Sequence, residues 1–411
     1  MSAPRKKIVF VTGTRAEFGL LTPVLHAARA SAAIELVLYA TGTHPVAAYG
    51  RTLSELEQTG FAPDRVIDIL LASDSQAAMG KSIGLGTISL IDALAADQPE
   101  AVVVLGDRFE ILAVAIAALA LGIPLVHLEG GHVTEGAIDD SIRHAVTKIA
   151  RLHFTSTQTY ADRIIQMGED PGFVHVVGAT GLDNIMAAPR LNRAELAQSL
   201  GIALDAAPLI LATHHPVTAG HKDAALAEIA EVLAALEAYP DATVVFTQAN
   251  ADPGNTAIAQ AITAFVARRP ERRLLVASLG FRRYLSLVEI SDLVLGNSSS
   301  GLIEVPSLGV PTVNIGPRQK GRLRAPSVID VAADAQAIRD GIARALSPQM
   351  RAIAAQCENL MGDGTAGRKI IRMLEATDFA SFGAKAFYDL PALATGAKNP
   401  DSPPQTDTSH R

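Results

Sequence analysis

Residues 127–145, HLEGGHVTEGAIDDSIRHA, crowd carboxylates and histidines directly after an apolar, strand-like run. A metal site, an acid–base site and a plain helix N-terminus can each produce such a stretch. The histidine spacing matches no H-E-x-x-H pattern and the chain has one cysteine, so we expect no metal ion. Carboxylates near one ligand push each other's pKa values apart, which supplies a proton acceptor and a donor. We therefore expect acid–base chemistry, with Asp139 and Asp140 also suited to a helix N-terminus.

A further carboxylate, Asp107, follows Gly106 in the stretch VVVLGDRFEILA (102–113). It stands at the carboxyl end of an apolar strand, which is where α/β proteins bind ligands. The same position suits an N-cap of the helix that follows. The sequence leaves both interpretations open.

The stretch 295–322, LGNSSSGLIEVPSLGVPTVNIGPRQKGR, is typical of a phosphate site. A strand ends at Gly296, and hydroxyls and amides then open a helix, an arrangement that binds phosphate or pyrophosphate. Glu304 lies one turn into that helix, where it can accept hydrogen bonds from a ribose. Basic side chains follow the next strand: Arg318, Lys320, Arg322 and Arg324. The alternative is a serine-rich cap with a solvated basic loop, and the lack of G-x-x-x-x-G-K-[ST] disfavours an ATPase.

Two shorter stretches also end predicted strands. In VTGTRAEFGLL (11–21), Gly13 permits a turn into a helix, and Arg15 either reaches a phosphate or forms a surface salt bridge. In LATHHPVTAG (211–220), His214 and His215 are adjacent and point in different directions. At most one of them faces a ligand, and the other is expected to be a core histidine.

Short apolar runs that alternate with amphipathic stretches must position these residues. Continuous Val, Ile and Leu runs indicate parallel strands that are buried on both faces. The predicted strands of the first half are 7–12, 35–40, 65–70, 101–105, 124–128, 153–156 and 174–177, with helices such as 17–30, 108–121 and 140–150 between them. The pattern restarts near residue 208 with five further strands. We predict an α/β protein with two doubly wound, Rossmann-like domains facing a cleft.

The stretch 187–208 is rich in proline and turn residues, which places the domain junction near residue 185. The predicted first domain, 1–185, carries the carboxylates, and the second, 186–345, binds the phosphates. Helices in 346–376 are expected to pack back on the first domain. The region 377–411 loses the pattern and is predicted to be disordered.

Composition narrows the class of protein. The chain has 411 residues, of which 49% are hydrophobic, and a net charge of −7, which disfavours a general affinity for nucleic acid or anionic membranes. A single cysteine excludes a disulfide framework. The apolar runs 8–11 and 111–121 are too short for a signal peptide or a membrane span. We expect a soluble, cytoplasmic protein.

Five blocks together resemble the hydrolysing UDP-N-acetylglucosamine 2-epimerases, which have a glycosyltransferase-B-like fold. They are GTRAEFG, LGDRFE, HLEGGHVTEGAIDDSIRHAVTK, HHPVT and GNSSSGLIEVPSLGVPTVNIGPRQKGR, in the family's order over roughly 6–375. The resemblance implies conversion of UDP-GlcNAc and water to N-acetylmannosamine and UDP, for sialic acid or a related nonulosonic acid. A base removes the C2 proton as UDP leaves, and water adds to the resulting 2-acetamidoglucal. No cofactor is implied, and the expected partners are the UDP-sugar and further copies in a homo-oligomer, a dimer or tetramer.

The resemblance also implies roles for single residues. The matching catalytic carboxylates are Asp107, Glu129 and Asp139, with Arg143 and His144 contacting substrate or ordering them. We assign the C2 proton to Glu129 or Asp107 and the hydration step to Asp139. The residues expected to bind UDP or the sugar are Arg15, Arg108, His215, Asn250, Ser298, Ser299, Glu304 and Arg318.

One position departs from the family pattern. His132 stands where many relatives carry an acidic residue. Relatives that act on UDP-2,4-diacetamido-2,4,6-trideoxy sugars share most of the same motifs, so that substrate is the alternative. A UDP-sugar glycosyltransferase, an epimerase without hydrolysis and a non-catalytic sugar-nucleotide sensor are the other hypotheses.

Overall fold

The computed structural model describes residues 4–46, 52–73, 75–133, 138–205, 207–215, 222–247, 255–276 and 279–391. The chain divides into two compact units, Met1–Thr180 with Gly367–Arg411, and Gly181–Ala366. Each unit is built on its own parallel sheet flanked by helices, which confirms the predicted pair of doubly wound α/β domains. Within the described ranges, no helix is both long and apolar enough to cross a membrane.

The first unit contains a seven-stranded parallel sheet in the order β3-β2-β1-β4-β5-β6-β7. Its strands are β1 Lys6–Thr12, β2 Ile34–Ala40, β3 Arg65–Val66, β4 Ala101–Leu105, β5 Leu125–Leu128, β6 Leu152–Thr155 and β7 Val174–Val176. The strand order reverses where β1 pairs with β4, which is the position where open α/β sheets bind ligands. The third strand is shorter than predicted and lies at the sheet edge.

Helices cover this first sheet and hold its central strands in a buried core. They are α1 Arg15–Ala30, α2 Leu53–Gln58, α3 Gln76–Asp97, α4 Phe109–Ala120, α5 Ile138–Ile149 and α6 Gln158–Gln166. Val102 and Val104 of β4 pack with Ile111 and Val114 of α4 in one cluster, and all four are fully buried. This packing fixes residues 106–108, which connect β4 to α4.

The second unit contains a six-stranded parallel sheet in the order β10-β9-β8-β11-β12-β13. Its strands are β8 Leu209–Thr213, β9 Thr243–Thr247, β10 Arg273–Val276, β11 Leu293–Gly296, β12 Thr312–Ile315 and β13 Val328–Val331. The sequence predicted five of them and missed β13. This strand is short, and the charged residue Asp330 interrupts its apolar pattern. The Asp330 carboxylate is kept in the strand by hydrogen bonds that it accepts from Asn314 Nδ2 (2.6 Å) and Arg324 Nε (2.7 Å).

The helices that accompany the second sheet include one that was expected elsewhere. They are α7 Thr180–Ala187, α8 Arg193–Leu200, α9 Lys222–Leu236, α10 Asn255–Ala267, α11 Gly280–Ile290, α12 Ser300–Ile303, α13 Ala335–Ala345 and α14 Pro348–Ala355. We expected the helices after residue 345 to pack on the first domain. Helix α14 instead belongs to the second unit, because Met350 is buried in one cluster with Ile338 and Ile342 of α13.

The last helix, α15 Ala366–Ala376, lies mostly in the first unit. Lys6 Nζ of β1 donates hydrogen bonds to the carbonyls of Glu375 (2.7 Å) and Thr377 (2.5 Å). The region after residue 376 was predicted to be disordered, but residues 377–391 are ordered. Phe379 is buried and Lys385 forms an ion pair with Glu169 (2.6 Å), so an aromatic and a charged contact fix this segment. Residues 392–411 lie outside the described residues.

Candidate active site

Two of the predicted catalytic carboxylates lie at the same edge of the first sheet. Strands β4 and β5 pair in parallel, with Leu105 opposite Leu128. Gly106, with φ +82°, turns the chain after β4 towards Asp107, and Glu129 follows β5 directly. The carboxyl ends of adjacent parallel strands therefore present both side chains, as expected from the sequence.

Asp107 is not a helix cap. Arg108 occupies the N-cap position of α4 and makes no capping hydrogen bond with its side chain. Asp107 Oδ2 instead accepts hydrogen bonds from Nε (2.9 Å) and Nη2 of Arg143, a residue only 4% exposed. Two hydrogen bonds from one guanidinium hold a carboxylate in one orientation. The side chain of Asp107 is therefore fixed by Arg143 and does not cap the helix.

Arg143 connects three segments of this edge. Its Nη1 donates to Asp140 Oδ1 and to the His132 carbonyl, both at 2.9 Å. His144 Nε2 lies 3.5 Å from Asp140 Oδ2. The sequence indicated only a cap for Asp140, but that residue belongs to the Arg143 network. Arg143 and His144 follow Asp140 by three and four residues, and this helical spacing could have indicated that the three side chains interact.

Glu129 is held in an unusual backbone conformation. Its φ is +61°, in the left-handed region that non-glycine residues avoid at a cost of about 1–3 kcal/mol. Its N–H donates to the Phe154 carbonyl (2.9 Å), and its Oε1 accepts from the Thr180 N–H (2.9 Å). Strain of this kind persists where the surroundings fix it and concentrates at functional positions. The surroundings thus determine where the Glu129 carboxylate points.

His132, the residue that departs from the family pattern, contacts Glu129 directly. Its Nε2 lies 3.3 Å from Glu129 Oε2 and 3.4 Å from Ser156 Oγ. Its ring stacks on Tyr160 with centroids 4.0 Å apart. His132 is therefore part of the immediate environment of a candidate catalytic carboxylate.

His127 is a core histidine and does not face a ligand. It is fully buried, with Nε2 2.8 Å from the Gly106 carbonyl and Nδ1 3.1 Å from Thr147 Oγ1. Burial lowers the pKa of His127 to about 3, so the ring is neutral and Nε2 carries the proton that the carbonyl accepts. The ring thereby fixes the turn that presents Asp107. Among the described residues, no group of three or more His, Cys, Asp or Glu side chains is arranged to hold a metal ion.

Asp139 lies in the first turn of α5. The part of the chain that the structure describes supplies no hydrogen bond to its carboxylate, although its charge acts on Arg108. Burial opposes the charge of Arg108, but the carboxylates of Glu110, Glu17 and Asp139 outweigh that effect and raise its pKa. Residues 134–137, which include Glu135, lie outside the described residues.

In the second unit, Asn297 joins the ends of two strands, a role that the sequence did not reveal. Asn297 is buried directly after β11, and its Oδ1 accepts from the His215 N–H (2.7 Å). Its Nδ2 donates to the His215 carbonyl (2.9 Å). Gly296, with φ +138°, precedes it, and a side chain there would overlap the Thr213 carbonyl. The sequence feature that could have indicated this role is an asparagine directly after a glycine that ends a strand.

The Asn297 carbonyl also anchors the basic loop that follows β12. It accepts hydrogen bonds from Arg318 Nη1 (3.0 Å) and Gln319 Nε2 (2.8 Å). His215, Ser298 and Arg318 are thus gathered around one residue. The structure brings these three predicted UDP-binding residues together.

The helix expected at the serine run is short. Helix α12 has four residues, because Pro306 interrupts the segment and a 3₁₀ turn continues it. The dipole of so short a helix attracts an anion less strongly than that of the longer helix expected from the sequence. The donors that can still bind an anion here are the amides of Ser298 and Ser299, which bond no described residue. Glu304 therefore follows α12 instead of lying within a long helix.

Glu304 is oriented by a hydroxyl pair. Ser300 Oγ donates to Glu304 Oε2 (3.0 Å) and also bonds the Tyr284 hydroxyl. Burial raises the pKa of Glu304, and the Ser300 hydrogen bond partly opposes that effect. The carboxyl group is held at a fixed position beside the serine run.

Three further predicted residues are placed as follows. His214 is buried and lies 3.5 Å from Glu228, whereas His215 is partly exposed, in line with the expectation of one core histidine. Arg15 Nε pairs with Glu55 at 2.7 Å and its side chain is 74% exposed, so the structure shows the surface salt bridge. A role of Arg15 in phosphate binding stays a prediction. Asn250 lies outside the described residues.

Comparison with known proteins agrees with this fold. The sequence model of the family described as UDP-N-acetylglucosamine 2-epimerase matches residues 26–375. The chain is 39% identical over 326 residues, 79% of its length and 84% of the relative's, to a Campylobacter jejuni protein named GDP/UDP-N,N'-diacetylbacillosamine 2-epimerase (hydrolyzing). It is 37% identical over 394 residues, 95% and 99% of the two chains, to the Escherichia coli polysialic acid biosynthesis protein P7.

A solved structure shares the architecture. The crystal structure of UDP-GlcNAc 2-epimerase from Neisseria meningitidis bound to UDP-GlcNAc has a TM-score of 0.77 and 21% identity, covering 90% of this chain and 100% of that chain. This likeness establishes the glycosyltransferase-B-like fold. The family match extends over most of the chain and includes the carboxylate edge and the Asn297 junction. The protein belongs to the UDP-N-acetylglucosamine 2-epimerase family.

Proposed function

We propose that the protein is a hydrolysing 2-epimerase that converts a UDP-2-acetamido sugar and water to UDP and the free sugar inverted at C2. The observation that carries this proposal is the carboxylate edge of the first unit, where Arg143 fixes Asp107 and a strained backbone fixes Glu129. A protein that only bound UDP would need an anion site and no such carboxylates. Held carboxylates are the groups that remove and return a proton at a weakly acidic carbon.

We assign the nucleotide to the Asn297 junction of the second unit. The amides of Ser298 and Ser299, which bond no described residue, and the guanidinium of Arg318 suit the diphosphate. Glu304, already oriented by Ser300, suits two ribose hydroxyls. Positive charge at the diphosphate stabilises the negative charge that develops there as UDP departs.

The first step is the elimination of UDP. A carboxylate removes the C2 proton, the electrons of the C2–H bond form the C1–C2 double bond, and the C1–O bond to UDP breaks. Glu129 and Asp107 are the two candidates for this base. Asp107 keeps Oδ1 available because Arg143 binds Oδ2, and Glu129 has one carboxylate oxygen on Thr180 and the other beside His132.

The second step is hydration of the 2-acetamidoglucal. Water adds its oxygen to C1, and a proton returns to C2 on the face opposite to the one it left. We assign this step to Asp139, whose carboxylate lacks a hydrogen bond to the described residues and can therefore hold water. Arg143 and His144 act on it through the Asp140 network.

Two substrates fit this reaction. The name of the Campylobacter jejuni relative, at 39% identity, favours UDP-N,N'-diacetylbacillosamine, the 2,4-diacetamido-6-deoxy sugar. The Neisseria meningitidis structure, at 21% identity, contains UDP-GlcNAc. The product would feed sialic acid or another nonulosonic acid, in keeping with the name of the Escherichia coli relative. We favour the diacetamido sugar, because its supporting relative is more similar to this chain.

The experiment compares the two UDP-sugars as sole substrates of the purified protein. Released UDP is quantified by chromatography and the configuration of the sugar at C2 by NMR, with Asp107→Asn prepared in parallel as a control. The proposal predicts equal amounts of UDP and free C2-inverted sugar, with a higher kcat/KM for the diacetamido sugar. Formation of the UDP-linked epimer without UDP release would identify a non-hydrolysing epimerase. Turnover only in the presence of an acceptor would identify a glycosyltransferase.

A further inference from the structure

Two carboxyl groups that the proposed reaction does not use are buried together in the first unit. Glu17 of α1 is 6% exposed and Glu110 of α4 is 0% exposed. Glu17 Oε2 accepts from the Gly13 N–H (2.7 Å), and Glu110 Oε1 accepts from Arg108 Nε (2.7 Å). The other oxygen of each group, Glu17 Oε1 and Glu110 Oε2, is buried without a hydrogen-bond partner among the described residues.

The backbone around Glu110 is built to leave room for this side chain. A Cβ atom at Gly13 would lie 2.7 Å from Glu110 Oε1, and one at Gly42 would lie 3.1 Å from the same atom. Gly13 does not adopt a positive φ, so its lack of a side chain serves the packing of Glu110. The glycine of the GTRAEFG block therefore leaves room for a buried carboxyl group.

The charges in this pocket do not balance if both acids are ionised. Arg108 pairs with Glu110, and its charge also acts on Glu17, but one guanidinium neutralises one carboxylate. Two buried oxygens without donors would each carry a desolvation penalty. Protonation of one of the two carboxyl groups removes the excess charge and turns one of these groups into a donor. Burial and the neighbouring charge of Glu110 both raise the pKa of Glu17, which agrees with this placement.

We propose that the Glu17 and Glu110 pair carries one proton, held by Glu17, and that the two residues act together as positioning residues for Arg108. Glu110 holds Nε of Arg108, so the terminal nitrogens, which bond no described residue, are left for the anionic substrate. Because of this proton, the two carboxyl groups carry one negative charge instead of two beside the single positive charge of Arg108. This inference rests on the proposed function and on the binding role for Arg108 that the family resemblance implies.

The groups that face this pair come from several elements. Glu17 meets Arg108 and Glu110, the amide of Gly13 after β1 and that of Thr14, while the charge of Asp139 in α5 acts on Arg108. His44 lies beside the end of β1, with Nε2 3.1 Å from Thr12 Oγ1. Burial lowers the pKa of His44 to about 4, so its ring is neutral when Glu17 titrates.

The proposal predicts a pH effect on KM that kcat does not share. Loss of the Glu17 proton adds a negative charge beside Arg108, and we expect KM for the UDP-sugar to rise about tenfold towards alkaline pH. Glu17→Gln keeps a hydrogen-bond donor and cannot ionise, so its KM should stay constant over the same range. Glu110→Gln should raise KM at every pH, because Arg108 loses the partner that orients it.

The test measures kcat and KM as a function of pH for the wild type, Glu17→Gln, Glu110→Gln and, as a control, Glu57→Gln on the exposed surface of α2. Difference infrared spectra of the same proteins without substrate report the C=O stretch of a protonated carboxyl group. The wild type should show a band of this kind that disappears as pH rises and that is missing from the spectrum of Glu17→Gln. A wild-type spectrum without a titrating band, or equal KM profiles for wild type and Glu17→Gln, would overturn the proposal. The spectra need no turnover, so they remain decisive if no UDP-sugar is converted, a result that would contradict the proposed function alone.

Discussion

Replacement of Arg143 by methionine is the perturbation whose size the structure defines best. The side chain is 4% exposed, and it donates to Asp107 Oδ2, Asp140 Oδ1 and the His132 carbonyl. Methionine keeps much of the length and apolar stem but none of the donors. The variant therefore removes the connection between three segments without leaving a large cavity.

The expected loss follows from these contacts. A hydrogen bond to a charged group contributes about 1.5–3 kcal/mol, and breaking a buried ion pair costs about 3–5 kcal/mol. The side chains of Asp107 and Asp140 are 26% and 24% exposed, so water replaces part of what they lose. We expect Arg143→Met to lower the free energy of unfolding by about 3 kcal/mol.

Equilibrium urea unfolding at neutral pH measures this loss. The matched control is Arg268→Met, which removes an arginine that is 60% exposed and pairs with Glu237 at 2.7 Å. Its expected cost is below about 1 kcal/mol. We also expect kcat of Arg143→Met to fall at least about a hundredfold, because Asp107 loses its orientation. Equal stability losses for both variants, with kcat of Arg143→Met preserved, would refute the positioning argument.

Three further predictions test the other parts of the account. Glu129→Gln should abolish UDP release under single-turnover conditions, whereas Asp139→Asn should still release UDP but accumulate the 2-acetamidoglucal in place of the C2-inverted sugar. Intact turnover in both would show that the catalytic assignment is wrong. Asn297→Ala should raise KM for the UDP-sugar at least about tenfold and lower the free energy of unfolding by about 2 kcal/mol, since buried bonds to His215 are lost. Because the pKa of Glu17 is raised in the folded state, the stability that its protonated form contributes is complete below about pH 4.5 and is lost as pH rises. The unfolding free energy of the wild type should therefore fall relative to Glu17→Gln as pH rises above about 4.5, and parallel pH profiles would contradict this sign.

The sequence predicted the strands well, because local pattern determines them. Buried parallel strands such as β4 read as continuous Val and Leu runs, and their carboxyl ends then carry the site. The local sequence pattern predicts the wrong structure where a contact with a distant residue, or a proline, determines the conformation. Strand β13 was missed because Asp330 serves a side-chain network, and α12 is shorter than expected because Pro306 ends it.

Partners distant in sequence explain the remaining differences at the site. The local sequence at Asp107 fits a cap and a ligand position equally, and the choice is made by Arg143, far along the chain. An acid in the first turn of a helix is normally solvated, so neither Glu17 nor Glu110 showed that it was buried beside the other. Residues 377–391 follow the last helix without an apolar period, yet contacts to Glu169 hold them. A short stretch of sequence contains only one partner of each such pair, so it cannot predict the contact.

The fate of the hydrogen at C2 tests the proposed reaction most directly. The favoured UDP-sugar is converted in D₂O, and the free sugar is analysed by NMR and mass spectrometry. Elimination followed by hydration predicts one deuterium at C2 of the inverted sugar, formed together with an equal amount of UDP. A product that keeps its original hydrogen at C2 while UDP is released would contradict the account.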